Sequence, residues 1–72
     1  MTLYRYPRGE VNNTPSMALT FPKEREGLRR AYAMVRSWES IGPSYRYRRV
    51  NRRTFHIFNH DELHSTLILK DA

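Results

Sequence analysis

The chain has 72 residues, enough for one small domain with one modest core, because a chain of this length hides only about 60% of the surface that its unfolded form exposes. Thirteen Lys and Arg against seven Asp and Glu give a formal net charge of +6, and a hydrophobic content of 39% argues against a disordered chain. No stretch approaches the roughly 18 apolar residues of a transmembrane helix, and the absence of cysteine excludes disulfides and thiolate metal sites.

The N-terminal segment, residues 1–20, is predicted to be a loop-rich arm of the single domain. It lacks the apolar stretch of a secretory signal, so we expect a cytoplasmic protein. Residues 3–6 form its one strand-like stretch, predicted as an edge strand, and the rest is rich in Pro, Gly, Asn and Ser. Tyr4 and Tyr6 are candidates for stacking on bases or for filling a groove of a partner.

A helix is predicted from about residue 22 to 41. Thr20 or Phe21 can cap its start, and Gly42 ends it before a proline. Gly27 within it costs up to about 1 kcal/mol relative to alanine. The apolar positions follow helical spacing and form one stripe: Leu28, Ala31, Tyr32, Val35 and Trp38.

After the helix the residue pattern predicts an antiparallel hairpin, 45–58, that reverses at residues 50–52 with Asn51 in the left-handed conformation. A further strand is predicted at 63–70, and a helix over 60–70 remains the alternative because the capping-box spacing also fits. The fold class is therefore α+β, one helix on a small antiparallel sheet. Its core would pack the helix stripe against Tyr45, Tyr47, Phe55, Ile57, Leu67 and Leu69. A core of this size provides only marginal stability, and formation of a homo-oligomer or binding of a partner would add to it.

Positive charge is concentrated in the predicted hairpin, which contains no acid between residues 45 and 60. By contrast, the last twelve residues sum to −2. The hairpin arginines are Arg46, Arg48, Arg49, Arg52 and Arg53. Strand alternation places Arg46, Arg48 and His56 on the sheet face opposite the helix. Three further arginines, Arg25, Arg29 and Arg36, lie within about 40° of one another around the helix.

Arginine has a planar fork of donors that matches phosphate and also stacks on bases. We therefore expect a small, non-catalytic binding protein that contacts nucleic acid, DNA or RNA, through the hairpin arginines, without a cofactor or membrane. The alternative partner is an acidic protein surface. The chain would then be a small inhibitor or adaptor of the phage-like, mobile-element kind, acting on a host protein or defence complex.

The string from His60 to His64 is similar to the H-E-x-x-H motif of zinc proteases, with two histidines four residues apart. Asp61 occupies the position where that motif requires glutamate, and zinc binding by this motif needs both histidines on one face of a helix. Because a turn followed by a strand is the favoured structure here, no metal site is expected.

The residues from Tyr45 to Phe58 resemble the central hairpin of RelE/ParE-type toxins, in which a YRxR strand leads through a short turn to an arginine-led strand. The chain departs from that family in lacking its two N-terminal helices and its basic or aromatic C-terminal end. The resemblance implies metal-free cleavage of ribosome-bound messenger RNA. It also implies roles for Arg46, Arg48, Arg53 and His56 in phosphate contact and proton transfer, and this ribonuclease activity is a third hypothesis.

Overall fold

The computed structural model describes residues 1–9, 11 and 14–71. Within this part of the chain, one helix packs on one face of a five-stranded antiparallel sheet, which confirms the predicted α+β fold. None of the described residues forms a helix long and apolar enough to cross a membrane. The sheet has the strand order β2-β1-β5-β4-β3. The elements are β1 (Thr2–Pro7), β2 (Met17–Thr20), α1 (Glu24–Ile41), β3 (Tyr45–Asn51), β4 (Thr54–Asn59) and β5 (Glu62–Lys70).

The C-terminal segment is a strand, as predicted, and β5 lies at the centre of the sheet between β1 and β4. Its alternation buries Leu67 and Leu69 beneath the helix. A two-residue turn connects it to β4, and both turn residues, His60 and Asp61, have positive φ angles of 51° and 68°. Positive φ at both central residues suits a tight hairpin whose twist matches that of its strands.

The N-terminal segment contains more sheet than predicted. Because β2 pairs with β1, with Leu3 opposite Leu19, β1 lies inside the sheet and the prediction of an edge position was wrong. A four-residue strand flanked by turn residues has too short an alternation to be recognised in the sequence.

The helix begins at Glu24, and its N-cap residue Lys23 makes no side-chain capping hydrogen bond. The predicted caps were wrong because the preceding residues belong to the sheet: Thr20 ends β2, and the Phe21 amide donates to the Met1 carbonyl. The helix ends before Gly42, as predicted.

The hairpin between β3 and β4 turns at Arg52 and Arg53, whereas the reversal was predicted at residues 50–52. Asn51 is the last residue of β3 and does not adopt the left-handed conformation. Asn51 contributes to the turn through its side chain instead, because its Oδ1 accepts a hydrogen bond of 3.0 Å from the backbone amide of Arg53.

The core lies between α1 and the sheet, and most of its predicted members are buried. Leu28, Trp38 and Tyr45 pack at its margin, while Tyr47 is 37% exposed. The rings of Tyr47 and Tyr32 meet at an interplanar angle of 88°, with their centroids 6.5 Å apart. The fully buried apolar residues are Leu3, Ala31, Val35, Phe55, Ile57, Leu67 and Leu69.

Candidate nucleic-acid interface

The face of the sheet that points away from α1 is called the outer face here. Its members follow from strand alternation and register, because Leu3, Phe55 and Leu67 face the helix. All five strands are described, and their outer-face residues include three cations and no acid. The residues are Thr2, Tyr4, Tyr6, Ala18, Thr20, Arg46, Arg48, Asn51, Thr54, His56, Phe58, Leu63, Thr66, Ile68 and Lys70.

One row of side chains crosses four strands of the outer face. Tyr6 lies opposite Thr66, Thr66 opposite His56, and His56 opposite Arg48. The inner end of the row is fixed, since Tyr6 is 5% exposed and Thr66 donates a hydrogen bond of 2.8 Å to the Arg8 carbonyl. The row therefore runs from a buried tyrosine on β1 to an exposed arginine on the edge strand β3.

The three outer-face cations are exposed. Arg46 and Arg48 lie on the edge strand β3, and Arg46 is directly opposite Phe58 on β4. The Lys70 Nζ lies 5.8 Å from the ring centroids of both Tyr4 and Tyr6. Among the described residues, no salt bridge involves any of these cations, so their charges are available to an anionic ligand.

Arg52 and Arg53, which the sequence grouped with Arg46 and Arg48, bind an acid of the helix. Arg52 lies 2.6 Å from a carboxylate oxygen of Glu24, and the Arg53 Nε donates to the other oxygen at 3.0 Å. Arg53 also contacts Asp71 at 3.4 Å. The hydrogen bond from Arg53 lowers the pKa of the Glu24 carboxyl, although desolvation opposes this.

Arg49 points to the helix side of the sheet. Its guanidinium donates to the Tyr32 hydroxyl at 2.8 Å and to the Arg52 carbonyl at 2.6 Å. It also lies 5.5 Å from the ring centroid of Phe55. The five hairpin arginines thus separate into two on the outer face and three engaged in contacts within the chain.

The helix arginines are exposed but form a different surface. Arg25, Arg29 and Arg36 belong to α1, which covers the opposite face of the sheet. They therefore do not join Arg46 and Arg48 in one basic patch.

The residues implied by the toxin resemblance are not assembled in one place. Arg46, Arg48 and His56 share the outer face, whereas Arg53 binds Glu24 on the helix side. The chain also has one helix in its described part, where the family has two before its hairpin.

The two histidines of the zinc-protease-like string lie in a turn and in a strand. His60 is in the β4–β5 turn, and His64 is in β5 with its ring 4.6 Å from that of Trp38. In the described residues, no group of three or more His, Asp or Glu is placed to hold a metal ion.

Two outer-face residues were missed among the candidate residues, Phe58 and Lys70. The sequence could have indicated both, because residues two positions apart on a strand point to the same face. Phe58 follows His56 by two positions, and Lys70 follows Ile68 by two. Tyr4 and Tyr6 were candidates for stacking, and the tertiary structure brings both onto the face of Arg48. Tyr6 is only 5% exposed, so its ring is not accessible to a base.

No protein-family model matches the chain, and neither a curated protein nor a solved structure is significantly similar to it. What can be inferred about function therefore comes from the geometry and charge of the chain's own residues.

Proposed function

We propose that the protein is a non-catalytic nucleic-acid-binding protein whose outer face contacts phosphates through Arg46, Arg48 and Lys70. One observation carries this proposal: the outer face combines aromatic rings with exposed cations that form no ion pair among the described residues, and none of its strand residues is an acid. Asp61 of the β4–β5 turn lines a pocket with Arg46 and Phe58 at one end of this face. Nucleic acid offers the matching surface, with phosphates for the cations and base faces for the rings.

The placement of the two arginines supports phosphate contact. Arg46 and Arg48 lie two positions apart on one strand, so their Cα atoms are separated by about 6.6 Å and both side chains point the same way. Like charges held this close repel each other, and a bound polyanion removes that repulsion. A ligand would therefore stabilise an arrangement that the free protein maintains at a cost.

The proposal is tested with the double variant R46Q/R48Q. Wild type is expected to bind labelled oligonucleotides at about 50 mM salt, and the loss of two phosphate contacts should weaken binding by at least about tenfold. Fluorescence anisotropy measures the affinity, and circular dichroism checks that the variant keeps its fold.

The matched control is R25Q/R36Q, which removes the same charge from the exposed surface of α1. Its affinity should change by less than about threefold, because screened charges on the far side contribute little. Equal losses in the two double variants, or no binding by wild type at low salt, would refute the proposal.

A second candidate function is the binding of a protein partner, as expected for an inhibitor or adaptor. A groove of about 400 Å³ runs beside α1, where Arg5 and Arg30 flank Trp38 and Ile41. Ile41 is 67% exposed there, which favours a partner segment that combines an apolar side chain with a carboxylate. Nuclease-resistant capture of a partner that Ile41→Glu abolishes, while R46Q/R48Q leaves it intact, would favour this function.

A further inference from the structure

We propose that the outer face binds single-stranded nucleic acid in preference to duplex, with bases stacked on the rings of Phe58 and His56. This inference rests on the proposed function and specifies its ligand class. It is carried by the register of β3 and β4 and by the breadth of the sheet.

Each ring lies beside an arginine. Arg46 is directly opposite Phe58, and Arg48 is directly opposite His56, so two ring and cation pairs repeat along the two strands. Directly opposite residues place their Cβ atoms about 5 Å apart. Each pair therefore combines a surface for one base with a donor for a neighbouring phosphate.

The rings are oriented and supported by their neighbours. Those of His56 and Phe58 are 6.0 Å apart at an interplanar angle of 75°, so the two do not stack on each other. Phe58 also lies opposite Leu63 on β5, which supports the ring from one side. Both residues are half-buried, which holds their orientation before a ligand arrives.

A duplex fits this surface poorly. The DNA major groove is about 12 Å wide and admits a helix or a two-stranded ribbon. The sheet has five hydrogen-bonded strands and is about 19 Å across, which is wider than that groove. Bases paired within a duplex would also keep their faces covered, so the rings would contribute nothing.

The test compares labelled 12-nucleotide single strands with the duplex of the same length by fluorescence anisotropy. Wild type should bind the single strand at least about fivefold more tightly, and Phe58→Leu should lose about 5- to 150-fold of that affinity. Phe58→Tyr, which keeps the ring, should retain it. Tyr47→Leu is the matched control, because it removes an exposed ring that faces the helix side.

Failures of the two proposals are distinguishable. If duplex binds as tightly as single strand, or if Phe58→Leu binds like wild type while R46Q/R48Q is weakened, the inference is wrong and the proposed function stands. If neither ligand binds wild type at about 50 mM salt, the proposed function itself is wrong. Circular dichroism of Phe58→Leu separates loss of stacking from loss of fold.

Discussion

Glu24 decides which arginines of the hairpin remain available to a ligand. Its carboxylate binds Arg52 and Arg53, so the first turn of α1 is joined to the β3–β4 turn across 29 residues of sequence. The same carboxylate lies near the positive end of the helix dipole, which also favours its charged form. This one side chain anchors the helix and neutralises part of the hairpin.

The Glu24 contact predicts a pH dependence of stability. The hydrogen bond from Arg53 is the main cause that lowers the pKa of Glu24 in the folded chain. A carboxyl whose pKa is lower in the folded state stabilises the fold fully at pH values above its unfolded pKa, about 4.3. This stabilisation is lost as the pH falls through the folded pKa. Wild type should therefore be more stable than Glu24→Gln at pH 7, with a difference that shrinks below about pH 4.3.

Urea denaturation between pH 7 and pH 3 measures this difference. Glu39→Gln is the matched control, because Glu39 is exposed on the same helix and takes no part in the ion pairs of the described residues. A difference between wild type and Glu24→Gln that stays constant over the whole range would contradict the assignment.

At the scale of elements, the approach of α1 to β5 depends on Gly27. A Cβ at this position would lie 2.6 Å from Cδ1 of Leu69, which is 2% exposed in the core. The sequence marked this glycine only as a cost to the helix. The structure shows what offsets that cost: without a side chain at this position, the helix can pack closely against the central strand.

Gly27→Ala is therefore expected to destabilise the protein although alanine favours a helix. Overpacking costs about 1–3 kcal/mol, whereas the gain in helix propensity is about 1 kcal/mol. Gly42→Ala is the control, because nothing lies within 4 Å of its Cβ position, and it should be neutral or stabilising. Thermal unfolding of both variants tests this, and a higher melting temperature for Gly27→Ala would exclude the close approach.

For the whole molecule, the net charge of +6 is not confined to one face. The outer face has Arg46, Arg48 and Lys70, and the helix has Arg25, Arg29 and Arg36. The salt dependence of the binding affinity can show which surface a nucleic acid contacts, because it reports the number of phosphates that the protein neutralises and not the protein's total charge.

The outer-face cations should set the salt dependence of binding to single strands. Each phosphate contact contributes about 0.7 to the slope of log affinity against log salt, so R46Q/R48Q should reduce the magnitude of that slope by about 1.4. R25Q/R36Q should leave it unchanged. Affinities measured from about 50 to 200 mM salt give the slopes, and identical slopes for all three proteins would place the contacts elsewhere.

The sequence by itself determined the fold class, the extent of the helix and the strand parity that puts Arg46, Arg48 and His56 on one face. These properties follow from local periodicity, which reports the side of an element that each residue occupies. Only the tertiary structure decided that β1 lies inside the sheet, that Tyr4 shares the face of Arg48, and that Glu24 holds Arg53. Those outcomes depend on pairing between residues distant in sequence, for which a local pattern contains no information.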